Sequence, residues 1–293
     1  MTKMTSLARG KLRRFTAGML AAGGASLAGA AAPTDAMAAG STTPGFTSGL
    51  AIYAKFPEGL YYINQTDSSF RDVGGVDARV NANILFFYYQ SPLEVAGGAI
   101  SFVVAPTLVD VSIEGAQHDF GLYNTYLAAQ ISWPITDGLR FGYRIGGYVP
   151  QDDSTSLDYG TIEQRAGFTY LKDGWQATAN FMYGNPVGDH SSLAPDYFVG
   201  DFSITKAIGK WGLGPVAHMS RDLTSPGSSY RKQSQFALGG LVSYDFGGAT
   251  LQVKLTKDVA QKNYGGKETA FWTNLIVPLW TPEAAVAPLV AKY

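Results

Sequence analysis

A period of two residues runs through this chain from Phe120 onward. Segments of about ten residues alternate between apolar and polar side chains, and tight turns and longer polar loops separate them. The clearest segment is Trp175 to Tyr183, whose odd-numbered positions carry Trp, Ala, Ala, Phe and Tyr. A strand directs successive side chains to opposite sides, so one face of such a strand is apolar and the other largely polar. Repeated around a long closed sheet, the apolar face is predicted to meet lipid, which makes the fold class an all-β transmembrane barrel.

A secretory signal peptide is predicted over residues 1–38. Several lysines and arginines precede an apolar, alanine- and glycine-rich stretch from Phe15 to Ala32. Ala36-Met37-Ala38 fits a cleavage site built from small residues, so cleavage is expected before Ala39. The paired arginines ahead of the apolar stretch also permit twin-arginine export, but a folded precursor does not suit a barrel.

Composition excludes several classes of protein. After the signal peptide no run of about eighteen apolar residues occurs, so no transmembrane helix is expected. The chain has no cysteine, which removes disulfides and thiolate metal sites. Its net charge is −1 and it has no basic block, so nucleic acid is not an expected partner. Its 35 glycines and 13% aromatic residues suit strands and turns better than helices.

Twelve antiparallel strands are predicted in one barrel domain over residues 57–280. An even number of strands places both ends of the barrel on the periplasmic side. Residues 39–56 form a periplasmic tether or a partial plug of the lumen, and residues 281–293 form a C-terminal tail. The predicted strands are 57–66, 80–90, 98–109, 121–133, 139–149, 161–171, 175–183, 197–207, 211–221, 234–245, 250–258 and 268–278.

The connections support this count, because outer-membrane barrels have short periplasmic turns and longer extracellular loops. From the fourth strand onward, short connections such as Lys172 to Gly174 alternate with long ones such as Pro150 to Gly160. The first third is less regular. Residues 83–89 are almost wholly apolar or aromatic, and residues 91–97 are long for a periplasmic turn.

A polar set of inward side chains is predicted to line the lumen. A charge that faces lipid at mid-depth costs about 2–4 kcal/mol, which assigns Arg144 and the other strand charges to the inside. The set suits either a packed interior whose charges pair with one another or a narrow conduit with weak contacts for a small organic solute. Its members are Asn124, Tyr126, Gln130, Arg140, Arg144, Tyr148, Glu163, Arg165, Asp201, His218, Gln252 and Lys254.

Aromatic side chains near strand ends are predicted to form two interfacial girdles. The expected partners of this surface are the lipid bilayer and lipopolysaccharide, and insertion of the barrel implies the barrel-assembly machinery. The predicted girdle residues are Tyr123, Trp133, Trp175, Tyr183, Trp211, Tyr244, Trp272 and Trp280.

The succession PEGLYYINQ, GLYNTYLAAQISWPI, LRFGYRIGGYVPQ, KDGWQATANFMYGNP and SQFALGGLVSYDFGG resembles the outer-membrane family named for the meta-pathway of phenol degradation. The resemblance covers Phe56 to Trp280, and its motifs are strand and turn patterns. It implies a twelve-stranded barrel encoded with aromatic or hydrocarbon catabolism, and uptake of such compounds. The tail after Trp280 departs from the many barrels that end at an aromatic residue.

Acid-base chemistry has few candidates, and no catalytic residue is predicted. His118 and His190 fall in predicted external loops, and His218 falls on a lumen-facing position. No Gly-x-Ser-x-Gly elbow accompanies them, so neither an enzyme activity nor a cofactor is expected, and a hydrolase at the rim is a remote alternative.

A calcium site is a second alternative that the sequence leaves open. Asp152, Asp153 and Asp158 share one predicted loop and could gather around a hard cation or a metal-bridged lipopolysaccharide. Their spacing matches no calcium-loop signature, so no metal site is predicted.

The expected function is passive uptake of small hydrophobic or aromatic compounds through the outer membrane of a Gram-negative bacterium. A closed lumen would favour a structural or adhesive barrel that binds a partner through its loops.

Overall fold

The computed structural model describes residues 40–72, 75–115 and 117–282. The predicted signal peptide, residues 1–38, and residues 283–293 of the predicted tail lie outside the described residues. The chain forms a closed barrel of twelve antiparallel strands in sequence order, closed by pairing of β1 with β12. The strands are β1 (Gly59–Asp72), β2 (Asp77–Val95), β3 (Gly98–Ile113), β4 (Gln117–Thr136), β5 (Leu139–Val149), β6 (Gly160–Lys172), β7 (Trp175–Val187), β8 (Tyr197–Ile208), β9 (Trp211–Asp222), β10 (Ser234–Asp245), β11 (Thr250–Lys262) and β12 (Thr269–Trp280). The predicted fold class and strand number are confirmed.

Tight turns close one end of the barrel. Ala96 and Gly97 have φ angles of 49° and 75°, and Asp173 and Gly174 have φ angles of 50° and 74°. Positive φ at both positions is the geometry of a two-residue hairpin turn that follows the twist of the strands. The barrel also begins and ends here, since Leu60 pairs with Trp280. This is the periplasmic end, and the longer loops lie at the opposite end.

The first four strands correct the predicted boundaries. β1 reaches Asp72 and β4 begins at Gln117, so the first two outer connections shrink to residues 73–76 and 114–116. At the periplasmic end β2 continues to Val95, and the predicted long connection becomes the turn at Ala96 and Gly97. Later boundaries agree more closely because their alternation is cleaner.

The outer surface of the barrel is apolar. On β5 and β6 the rings of Phe141 and Phe168 pack against each other at 5.3 Å, and Phe141 stacks on Trp133 at 6.0 Å. No helix in the described ranges is long and apolar enough to cross a membrane, and the described 3-10 turn is Ser191–Leu193. Large apolar side chains that are exposed on this surface include Ile145, Ile162, Phe168, Ile204, Leu238, Leu255 and Phe271.

Candidate functional site

The lumen has two unlike walls. The inward side chains of β2 and β3 are mostly apolar, and they form a wall that we call the apolar wall: Ala82, Ile84, Phe86, Tyr88, Val103, Ala105, Val109 and Val111. The inward side chains of β6 to β11 are mostly polar, and they form the polar wall: Glu163, Arg165, Thr169, Gln176, Thr178, Asn180, Asp201, Ser203, His218, Ser220, Gln235, Gln252, Lys254 and Thr256. The stretch at residues 83–89 was hard to assign from sequence because β2 is apolar on both of its faces.

Residues 40–56, which we call the lumen segment, lie inside the barrel. The end at Ser41 contacts Thr161 near the outer end of β6, through a hydroxyl–hydroxyl distance of 2.6 Å. The other end enters β1 at the periplasmic end. The segment therefore runs along the length of the lumen.

Asp201 on β8 holds the middle of the lumen segment. Its carboxylate accepts hydrogen bonds from the Gly45 amide at 2.7 Å, the Thr47 amide at 2.8 Å and the Thr47 hydroxyl at 2.6 Å. The Asp201 side chain is 1% exposed. Three donors on one buried carboxylate attach the middle of the segment to β8.

Amide and ammonium groups of the polar wall bind the carbonyl oxygens of the lumen segment. Gln176 and Gln252 both donate to the Gly49 carbonyl, at 2.8 and 2.9 Å. The Lys254 ammonium donates to the carbonyls of Gly45 and Ser48. An irregular segment buried in a barrel needs such partners, because each buried backbone group without one costs free energy.

Further donors bind the segment near the periplasmic end. Gln130 donates to the Ile52 carbonyl at 3.0 Å, and the Ser132 hydroxyl donates to the Tyr53 carbonyl at 2.6 Å. The Tyr53 hydroxyl donates to Asn180 at 2.6 Å. The Tyr53 backbone is thus bound by β4 and its hydroxyl by β7, three strands away around the barrel.

Two glycines make room for the Tyr53 ring. Gly142 and Gly167 are register partners on β5 and β6, and a Cβ at either position would lie 1.9 or 2.9 Å from a Tyr53 ring carbon. The glycines give the space that a side chain would fill. A pair of glycines on adjacent strand positions was the available sequence signal for this pocket.

Two of the predicted lumen arginines meet at mid-barrel, where Arg144 pairs in register with Arg165. Arg165 forms an ion pair with Glu163 on its own strand, with Nε donating at 2.6 Å. Arg144 instead donates to Gln130 through Nε at 2.9 Å and Nη2 at 2.6 Å. In the described part of the chain, Arg144 has no acidic ion-pair partner, so it keeps an uncompensated positive charge.

Eleven of the predicted lumen side chains are buried inside the barrel in the structure, and Arg140 lies half-buried near the periplasmic rim. There Arg140 donates to the hydroxyl and carbonyl of Ser132. Its place at the rim separates it from Arg144 and Arg165 at mid-barrel.

Two predicted girdle residues point into the lumen. Trp272 is 1% exposed and lies under the Lys254 ammonium at 4.4 Å, because it shares its face with the polar Asn274. Tyr123 is 5% exposed and its hydroxyl donates to the Ser41 carbonyl at 3.4 Å. A register irregularity opposite Ala105 to Thr107 turns both Tyr123 and Asn124 inward. Both girdle assignments are wrong. The other six, Trp133, Trp175, Tyr183, Trp211, Tyr244 and Trp280, lie at least partly exposed.

The outer loops fold over the mouth of the barrel. The Asn124 side chain accepts from the Leu157 amide at 2.7 Å and donates to the Tyr159 carbonyl at 2.9 Å. Asp153 lies where a Gly121 side chain would be. Burial would raise the Asp153 pKa, but hydrogen bonds led by the Leu122 amide lower it below its usual value. This loop is therefore anchored and covers part of the opening.

The described residues line spaces around the lumen segment. The inner chamber is a cavity of about 50 Å³ that opens partly to solvent, and its lining is largely apolar: Phe46, Leu50, Ile52, Phe56, Tyr61, Ile63, Phe86, Tyr88 and Ile276 among others. The outer chamber is a cavity of about 40 Å³ beside residues 40–44. A third, more open space of about 610 Å³ lies at the periplasmic end and includes Lys55 and Arg140. The inner and outer chambers both touch β2 of the apolar wall, and the inner chamber also touches Gln176 and Gln252 of the polar wall.

The candidate catalytic and metal groups are dispersed. His118 is exposed on β4 rather than in a loop, 3.0 Å from Asp110, because β4 is longer than predicted. His190 is exposed in the loop before β8. His218 is buried beside Gly45, and neither of its ring nitrogens has a hydrogen-bond partner among the described residues. The three loop aspartates belong to no group of potential metal ligands within the described ranges, and Asp153 binds its own loop.

The chain is similar in sequence to a known family and in fold to solved structures. The model of the family described as "Putative MetA-pathway of phenol degradation" matches residues 63–275. The chain belongs to this family. The crystal structure of an outer membrane channel from Pseudomonas putida F1 has 13% identity over 77% of this chain and 97% of that chain, with a TM-score of 0.63. The translocator domain of the autotransporter NalP from Neisseria meningitidis has 13% identity over 78% and 91%, with a TM-score of 0.43. No curated protein matches the chain.

The likeness to the Pseudomonas channel agrees with the closed sheet. This chain is a twelve-stranded barrel of the Gram-negative outer membrane. Its immediate environment is the lipid bilayer.

Proposed function

We propose that this chain is an outer-membrane channel for passive uptake of small hydrophobic or aromatic compounds. The observation that carries the proposal is the division of the lumen into two walls. The polar wall binds the lumen segment, and the inner and outer chambers both border the apolar wall. A lumen built only to be filled would not need this separation.

The chemistry of the inner chamber supports the substrate class. Phe46 and Phe86 are 6.0 Å apart between ring centroids, and Phe56 meets Tyr88 edge-on at 5.7 Å. Aromatic rings prefer such offset and edge contacts, so a bound aromatic solute would find partners along this wall. The membership of a family described by phenol degradation fits the same class.

Planar-bilayer recordings test the proposal. We expect benzyl alcohol to cause brief, concentration-dependent interruptions of the ion current, and glucose to cause none at equal concentration. Val109→Thr places a hydroxyl on the apolar wall with little change of shape and should weaken the interruptions. Val104→Thr is the matched control, because Val104 lies on the same strand and faces outward.

The folded outer loops and the occupied lumen favour a second candidate, a non-transporting barrel that binds a partner such as lipopolysaccharide through its loops. The same recordings separate the two. Asp201→Asn removes the carboxylate that holds the lumen segment. If the wild type and this variant both carry no current, the channel proposal fails and the second candidate stands.

A further inference from the structure

The outer chamber differs from the inner chamber in having acidic side chains against an apolar surface. Val80, Ala82 and Val109 supply the apolar part of its lining. Asp67, Ser69, Arg71 and Glu268 supply the polar part. Such a combination suits a solute with an apolar body and one polar group.

Arg71 is already engaged by other parts of the protein. Its guanidinium donates to Glu268 through Nε at 2.8 Å, and it stacks on the Tyr264 ring with 4.1 Å between the guanidinium carbon and the ring centroid. Glu268 therefore forms an ion pair with Arg71. Among the described residues, this leaves Asp67 as the carboxylate of the chamber without an ion-pair partner.

Asp67 has acceptor capacity left over. It is 2% exposed, and the Ser69 hydroxyl donates to its two oxygens at 2.9 and 3.0 Å. A hydroxyl has one proton, whereas a carboxylate has about four acceptor positions. Among the residues that the structure describes, no cation lies within ion-pair distance of Asp67. This remaining acceptor capacity suits a ligand that brings a hydrogen-bond donor.

We propose that the outer chamber binds the hydrogen-bond-donating group, an ammonium or a hydroxyl, of a small aromatic solute, with Asp67 as the acceptor and the apolar wall against the ring. This inference rests on the proposed uptake function and narrows its substrate class. Solutes that carry a carboxylate are disfavoured, because a carboxylate has no hydrogen to donate to Asp67.

Titration calorimetry on the purified full-length protein in detergent tests the inference with four probes of similar size. The probes are benzylamine, benzyl alcohol, anisole and benzoate. We expect benzylamine to bind most tightly, benzyl alcohol next, and anisole and benzoate most weakly. This ranking needs no variant, so it holds even where a substitution impairs folding. Equal binding of benzoate and benzylamine would overturn the inference.

Asp67→Asn replaces the carboxylate with an amide of nearly the same shape. It should weaken benzylamine about tenfold or more, since charge-assisted hydrogen bonds are about twice as strong as neutral ones, and it should change anisole little. Asp77→Asn at the exposed start of β2 is the matched control and should change neither. Unchanged benzylamine affinity in folded Asp67→Asn would reject Asp67 as the acceptor.

Calorimetry and bilayer recording together separate failure of the Asp67 site from failure of the proposed uptake function. Selective binding without any current in bilayers would reject uptake and leave the binding site in place. Current interruptions by aromatic solutes without selectivity for donors would retain uptake and reject the site.

Discussion

Asp201→Asn is the substitution that most directly tests how the lumen segment is held. The wild-type carboxylate accepts from Gly45 and twice from Thr47, all at 2.6 to 2.8 Å. Asparagine keeps one acceptor oxygen but presents its amide NH2 group, itself a donor, to the remaining donors and carries no charge. A hydrogen bond to a charged group contributes about 1.5–3 kcal/mol, so loss of the charge and at least one bond should cost about 2–4 kcal/mol.

This free energy sets the size of the expected effect. Since about 1.4 kcal/mol is a factor of ten, the ratio of bound to released segment should fall roughly 30- to 1000-fold. Released segment opens the space beside the apolar wall further, so the fraction of time spent in a conducting state should rise. Single-channel recording in planar bilayers measures this fraction directly.

Asp222→Asn is the matched control. Asp222 is also a buried aspartate, on the neighbouring strand, but it accepts from the Tyr230 hydroxyl at 2.5 Å and the Gln233 amide at 2.7 Å in the loop after β9. It should leave the segment in place. Heat-modifiability gels verify that both variants form barrels. A folded Asp201→Asn channel with the open fraction of the wild type would refute the role assigned to Asp201.

Three further predictions follow from the walls and faces. Phe141→Arg should lower the yield of heat-modifiable barrel more than Arg144→Phe does, because a cation facing lipid costs about 2–4 kcal/mol; equal yields would contradict the face assignment on β5. Gly142→Val should raise the open fraction by displacing the Tyr53 ring, which lies 1.9 Å from the position of the new Cβ; an unchanged open fraction in a folded variant would show that the ring moves without the segment. Arg144→Ala should shift ion preference toward cations, measured as reversal potential under a salt gradient, and an unchanged potential would mean that Arg144 lies off the ion path.

The sequence predicted β5 to β12 well because one face of each is apolar and the other is mostly polar. It predicted β1 to β4 less well. On β2 and β3 the inward face is apolar too, so the period of two is hidden there. Position near a strand end was a poor guide for Trp272, whose face is set by Asn274 two residues later. Counting the period instead of the distance from the end would have placed it inside.

The lumen segment itself was only half predictable. Its apolar residues Phe46, Leu50 and Ile52 suggested either burial or a tether, and composition could not decide between them. The decision depends on hydrogen bonds between residues far apart in sequence, such as Gln252 with Gly49. Inward amides at Gln130, Gln176 and Gln252 were visible as polar positions, but their partners were not.

The lumen segment is covalently continuous with β1, so it acts as a ligand that cannot be diluted. A short connection keeps such a ligand at an effective concentration of about millimolar or higher. Closing of the channel by this segment is therefore a unimolecular event, and its rate is independent of how many copies of the protein are in the membrane. A solute that passes along the apolar wall competes with the lumen segment, which stays covalently attached to β1. Only the solute's own concentration can shift that competition.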